Sequence, residues 1–205
     1  MPVDTILAVW NLQPTLTGRV VRLEPLARRH RDGLLAAAGD ERIWAHWSFD
    51  PARSEADFDA WLDGRLAEAA AGREGHFATI LQATGEPVGS TSFCDPHEQD
   101  RGIEIGWTWL TPAAWGSGAN TEAKFLQLRY AFETLGCIRV AFDTYARNAR
   151  SRAALEKLGA TFEGVWRNYS IRQADGTKID SAFYSVIDEE WPAVRERLAA
   201  RIAAL

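Results

Sequence analysis

Methionine occurs once and cysteine twice among the 205 residues. No apolar run approaches the length of a membrane span. The longest uninterrupted pieces, such as Thr5 to Trp10 and Leu34 to Ala38, fall far short of the roughly 20 residues a spanning helix needs, so no membrane association is expected. The opening Met1-Pro2-Val3-Asp4 carries an acid and no basic cluster, so no secretory leader is readable and the expected compartment is the cytoplasm. Cys94 and Cys137 stand 43 positions apart, with no second member of a Cys-x-x-Cys pair and no histidine at ligand spacing. Both read as buried free thiols, and neither a disulfide framework nor a metal site is expected. Positive charge is short as well. Lys and Arg number 23 against 28 Asp and Glu, a net charge of −5, which argues against a broad footprint for nucleic acid. Repeats, low-complexity tracts and Pro/Ser-rich linkers are missing too, so residues 1–17 read as an arm and 18–205 as one domain.

What is present is a globular composition, 46% hydrophobic and 25% charged, with nine tryptophans. A chain of this length buries roughly 70% of its unfolded surface and needs no metal or disulfide staple. Gly18 to Leu26 alternates apolar and polar residues and reads as a strand ending at Pro25. His30–Ala38 and Glu55–Ala71 read as helices, the second with Phe58, Trp61, Leu62 and Leu66 in one stripe. His76–Gln82, Pro87–Cys94 and Gly102–Leu110 read as an antiparallel meander. A Pro- and Gly-bearing loop follows, and then a helix capped by Asn120 or Thr121 and stopped near Gly136. A strand over 138–145, a helix over 149–158 ending at Gly159, strands over 161–171 and 179–187, and a final helix with Trp191, Val194, Leu198 and Ile202 on one face complete a mixed α+β order.

A strand running into a short glycine-bearing loop and a capped helix makes an anion trap, because unpaired backbone N–H groups and the helix dipole point to one place. Trp115 to Thr121 has this form. It lacks the Lys-Ser/Thr ending of a P-loop, and Gly116-x-Gly118 lacks the third glycine of a dinucleotide fingerprint. Asn148-Ala149-Arg150-Ser151 repeats the strand-to-helix transition about thirty residues later, so two helix N-termini at neighbouring strand ends would frame a cleft.

At this point the sequence resembles the GNAT superfamily of acyl-coenzyme A dependent N-acyltransferases, within it the RimJ/RimL-like group. The likeness lies in Ile105-Gly106-Trp107-Thr108-Trp109-Leu110, Trp115-Gly116-Ser117-Gly118-Ala119-Asn120-Thr121-Glu122-Ala123, Tyr130 to Gly136 and Asn148 to Ser151. It continues through Leu155 to Gly159, Glu163 to Arg167, Asp180 and Tyr184-Ser185-Val186, in the family's order from about Val20 to Trp191. The resemblance implies a mostly antiparallel twisted sheet of about six or seven strands flanked by helices, with a V-shaped cofactor cleft between central strands. It implies that Trp115, Gly116, Ser117, Gly118, Ala119, Asn120 and Thr121 hold the pyrophosphate of acetyl-coenzyme A. Asn148 would fix the pantetheine arm, with Arg150 near the phosphates and the strand ending at Leu110 alongside. The family's loop usually begins with Gln or Arg and ends with Gly or Ala, where this chain has Trp115 and Asn120; the Trp is normal for the RimJ/RimL-like group. Many relatives carry a tyrosine general acid seven positions after the Asn, where this chain has Leu155.

Acyl transfer to an amine requires a neutral amine, a polarised carbonyl and a proton for the leaving thiolate. Glu104 is the first candidate base and His46 the fallback, being the one side chain in its segment that titrates near neutrality. The N–H groups of Trp109 and Leu110 are candidates for polarising the carbonyl, and Ser151 for protonating or holding the sulfur. Trp44 and Trp47 fall where relatives shape the acceptor pocket, although their helical spacing also suits packing. The acceptor stays open between a peptide N-terminus and a small-molecule amine, the donor between acetyl and succinyl, and the oligomeric state is open with a homodimer included. A coenzyme A sensing module without turnover is the alternative from another class.

Overall fold

A computed structural model describes residues 10–173 and 175–205; residues 1–9 of the expected arm lie outside the described residues. Eight strands form one sheet, β1 (Leu16–Thr17), β2 (Val21–Pro25), β3 (Gly75–Leu81), β4 (Pro87–His97), β5 (Gly102–Leu110), β6 (Arg139–Tyr145), β7 (Thr161–Ile171) and β8 (Lys178–Ile187). Their spatial order is β1-β2-β3-β4-β5-β6-β8-β7. The strand count exceeds the six or seven expected. Every neighbouring pair is antiparallel except β5 with β6.

Two cores flank the sheet. Helices α1 (Arg31–Ala38) and α2 (Glu55–Ala70) cover one face, where Leu34, Phe58, Trp61 and Leu62 meet Ala78 and Ile80 of β3. Helices α3 (Ala119–Glu133), α4 (Ala149–Leu158) and α5 (Trp191–Ala203) cover the other, where Leu126, Leu155, Leu158, Val194 and Leu198 meet Val21, Leu23, Phe77, Val140 and Tyr184. The period-two alternation of the strands sends each strand's apolar residues to both layers. Cys94 and Cys137 are buried free thiols. No helix among the described residues is long and apolar enough to cross a membrane.

Helix α3 is placed by an acid. Glu122, 3% exposed, lies in its first turn and accepts backbone N–H groups from Arg19 (2.9 Å), Val20 (2.6 Å) and Val21 (2.7 Å). A Cβ on Gly18 would fall 2.4 Å from that carboxylate, so the turn into β2 admits only glycine at this approach. The carboxylate satisfies three donors that no strand reaches, and a charged acceptor makes each bond stronger than a neutral one would. Replacing Glu122 by Gln leaves one oxygen and introduces a donor against three N–H groups. We expect Glu122→Gln to destabilise the protein by about 2–4 kcal/mol in urea unfolding with an unchanged m-value; a change under 0.5 kcal/mol contradicts this role.

Candidate active site

Strands β5 and β6 pair only between Gly102–Glu104 and Arg139–Ala141, although β5 continues to Leu110 and β6 to Tyr145. Beyond Glu104 the two strands part, and their facing edges are left without strand partners. The N-termini of α3 and α4 point toward the opening, which forms a cleft of about 1890 Å³.

A bulge shapes one wall. Ser90 pairs with Trp109 and Ser92 with Gly106, so Thr91 faces both Trp107 and Thr108, and Trp107 adopts φ 49°. The extra residue reverses the alternation beyond it. Ile103 and Ile105 pack in the α3-side core while Trp109 packs on the α1/α2 side; a single face running through Ile103, Ile105, Trp107 and Trp109 is therefore broken.

The glycine loop forms the opposite end. Gly116 and Gly118 take φ 75° and 87°, which turns successive amides inward. Helix α3 begins at Ala119 with Gly118 as its cap, so neither Asn120 nor Thr121 caps it as expected. The N–H of Ser117 binds Ala114 O and that of Ala119 binds Ser117 Oγ, and neither residue lines the cleft. Gly116, Gly118, Asn120 and Thr121 do line it, and their N–H groups make no hydrogen bond among the described residues. Trp115 ties the loop to the end of β5 by donating its indole N–H to Leu110 O (2.9 Å). Above its ring, 3.7 Å away, lies the guanidinium of Arg150. Lys157 and Arg201 add positive charge at this end.

Asn148 caps α4, its Oδ1 accepting the Ser151 N–H at 3.1 Å, which leaves its amide donors for the cleft. Ser151, Trp109 and Leu110 line the same space, and Leu155 presents an apolar side chain there. Trp47 lines it as well. Trp44 does not: it is buried behind Trp47 and Trp109, with its indole N–H bonded to Ala38 O. Its burial makes it part of the packing that holds Trp47.

Glu104 and His46 both face the cleft. Burial, reinforced by Asp143 and Asp95, pushes the Glu104 carboxyl up to about 7. Burial, with Arg150 and Arg172 adding repulsion, lowers His46 and keeps its ring neutral at pH 7. Sequence reasoning missed three further groups at this centre: Asp143 on β6, Tyr169 on β7 and Lys124 on α3. Lys124, 4% exposed, donates to Thr91 Oγ1 (3.0 Å) and Thr108 Oγ1 (2.6 Å), and Thr108 in turn donates to Gly106 O (3.2 Å) across the bulge. A lone lysine among Ala123, Leu126 and Gln127 carried no signal that it would be turned inward.

Compared with known proteins, residues 21–161 match the family model described as acetyltransferase (GNAT) domain. A GCN5-related N-acetyltransferase from Brucella melitensis superposes with a TM-score of 0.84 at 32% identity, covering 93% of this chain and 88% of that one. The FsC-acetyl coenzyme A-N(2)-transacetylase of Aspergillus fumigatus is 29% identical over 196 residues, 87% of this chain and 78% of that protein. Mycobacterium smegmatis RimJ, in complex with CoA-disulfide, shares the fold at a TM-score of 0.76 and 24% identity, over 93% of this chain and 94% of that one.

Burial lowers Lys124 from 10.5 to about 7. Its folded value lies below its unfolded one, so the cost is full below pH 7 and fades as pH rises toward 10.5. Stability measured by denaturant titration should therefore gain on the order of 5 kcal/mol from this group between those limits. In Lys124→Met that slope is expected to vanish; parallel stability curves for the two proteins would refute a desolvated lysine.

Proposed function

We propose, since this chain belongs to the acetyltransferase (GNAT) family, that its cleft transfers an acetyl group from acetyl-coenzyme A to a primary amine in a ternary complex. The observation that carries this reading is the pairing, in one cleft, of four unbonded amides at Gly116, Gly118, Asn120 and Thr121 with a desolvated carboxyl at Glu104. The amides and two left-handed glycines suit a diphosphate, which a Cβ at Gly116 would confront in open space. The name of the Aspergillus relative points to the same donor.

Acetyl-coenzyme A supplies a thioester already activated for acyl transfer. The chain's part is to bind and orient it and to move protons. Arg150, set on Trp115, places a cation beside the loop in a protein of net negative charge. Asn148 and the unpartnered edge of β5 from Ile105 to Leu110 provide hydrogen-bonding groups for an extended arm. The Leu110 amide, turned to the open edge of β5, polarises the carbonyl, whereas the Trp109 N–H is directed to its β4 partner Ser90. Glu104 accepts the proton of the incoming ammonium, and a carboxylate that titrates near 7 is both ionised and basic enough for that task at neutral pH. Ser151 holds the sulfur or returns a proton to it, since Leu155 supplies no hydroxyl. Trp47 shapes the acceptor side. Leu155 is also the one feature that favours a coenzyme A sensor without turnover, and thiol release separates the two readings.

Glu104→Gln is expected to reduce kcat by roughly 10²- to 10⁴-fold while leaving acetyl-coenzyme A affinity unchanged, and to abolish the acidic limb of the rate profile near pH 7. Full activity in Glu104→Gln together with loss in His46→Ala would assign the base to His46.

A further inference from the structure

The cleft is electrically divided. Arg150, Lys157 and Arg201 lie with the glycine loop, whereas Glu74, Asp95, Glu104 and Asp143 line the other end, where Arg73 is paired with Glu68 and His97 lies against Asp95. Glu104 is in register with Ala141, and Asp143 follows two positions on. By period-two alternation both side chains leave the sheet on one face, at the point where the two strands begin to part. Burial raises both carboxyls, and Asp143 is the largest charge acting on Glu104. No cation among the described residues is paired with either; the neighbour of Glu104 is the Cys94 thiol at 3.8 Å. Both carboxylates are partly buried in the wall of the cleft, and two without an ion partner on one face leave the place of a cation free.

A separate observation falls at the same spot. Ser181 on β8 lies opposite Tyr145, on the strand whose Phe183 faces Asp143. It is 1% exposed and lines the cleft, and its hydroxyl, which finds no other partner in the protein, is directed at Asp143 and favours the charged carboxylate. Tyr169 closes this side from β7, its phenol kept protonated by burial and by Asp143, Glu104 and Asp95. At the mouth the Trp47 and Trp107 rings are 5.9 Å apart, and the Arg65 guanidinium lies 4.8 Å from the Trp107 ring, so this aromatic wall already accepts a cation. Lys124 lines the same cleft and its charge is favoured by Glu104, but its ammonium is bonded to Thr91 and Thr108 and not to either carboxylate.

We propose that the acceptor carries two cationic nitrogens, the reacting one at Glu104 and a second, unreacted ammonium held by Asp143 and the Ser181 hydroxyl. This rests on the acetyl-transfer reading above. The reacting ammonium gives one proton to Glu104. Its nitrogen then forms the N–C bond as the C–S bond breaks, and the second proton lost from nitrogen goes to the departing thiolate. Asp143 takes no part in that exchange; its role is to select and position a diamine over a monoamine of equal length.

The probes are 1,4-diaminobutane and 1-aminobutane with acetyl-coenzyme A, assayed by thiol release. Wild type is expected to favour the diamine by roughly 100-fold in kcat/KM, as a desolvated charge pair allows, far beyond the factor of two from having two amines. Asp143→Asn should reduce that ratio at least tenfold and Ser181→Ala by a smaller factor. Without donor, 1,4-diaminobutane should raise the melting temperature of wild type more than that of Asp143→Asn. A wild-type ratio near two, or a ratio and a melting shift that both variants keep, overturns the proposal. If neither amine is acetylated while the diamine still stabilises in an Asp143-dependent way, the transfer reading fails and the dication site stands.

Discussion

The parting of β5 and β6 after three paired residues is the constraint on which the rest depends. Among the described residues these are the only parallel neighbours in the sheet, and a parallel connection requires a crossover, here α3. The crossover delivers a helix N-terminus to the cleft, and the loss of pairing opens both strand edges to it. A fully zipped β5–β6 pair would satisfy those edges and bring Glu104 and Asp143 into an unbroken sheet. Parting is therefore what converts an ordinary α+β sheet into a site, and Glu122, by fixing α3 to the β2 turn, keeps the crossover in place.

Charge follows from the same geometry. An acidic protein has to bring cations to the phosphate end locally, and it does so with an aromatic platform: Trp115 is tied to Leu110 through its indole N–H and carries Arg150 on its ring face. A tryptophan at the head of the loop thus takes part in anion recognition indirectly, through the guanidinium it positions. At the opposite end desolvation acts on groups of the other sign, and partial burial together with the neighbouring Asp143 and Asp95 pushes Glu104 up to about 7.

Much of this was legible in the sequence, for identifiable reasons. Period-two and helical stripes located β5, α2 and α5, and Gly159 with φ 105° stops α4 where a glycine was expected. The loop at 115–121 was readable because glycine spacing and a following helix have a backbone consequence. What was hidden depended on tertiary context. The bulge at Trp107 leaves no local mark, since a tryptophan at positive φ is not what its own side chain favours, and the Lys124–Thr108 bond beside it joins residues distant in sequence. Asp143 looked like any strand acid until β6 was placed beside Glu104, and Ser117 and Ala119 turn away from the cleft because their own amides are bonded within the loop. Trp44 carried the same aromatic signal as Trp47, and only burial distinguishes packing from lining.

The account's central claim is that the parted edges of β5 and β6 and the free amides of the glycine loop form one receiving surface. Backbone amide NMR during titration with acetyl-coenzyme A reads that surface directly. The largest shifts are expected at Gly116, Gly118, Asn120 and Thr121 and along Ile105 to Leu110, with Ser117 and Ala119 moving least among the loop residues because their N–H groups are already bonded. Shifts centred elsewhere on the sheet, or a loop that responds while the β5 edge does not, would contradict it.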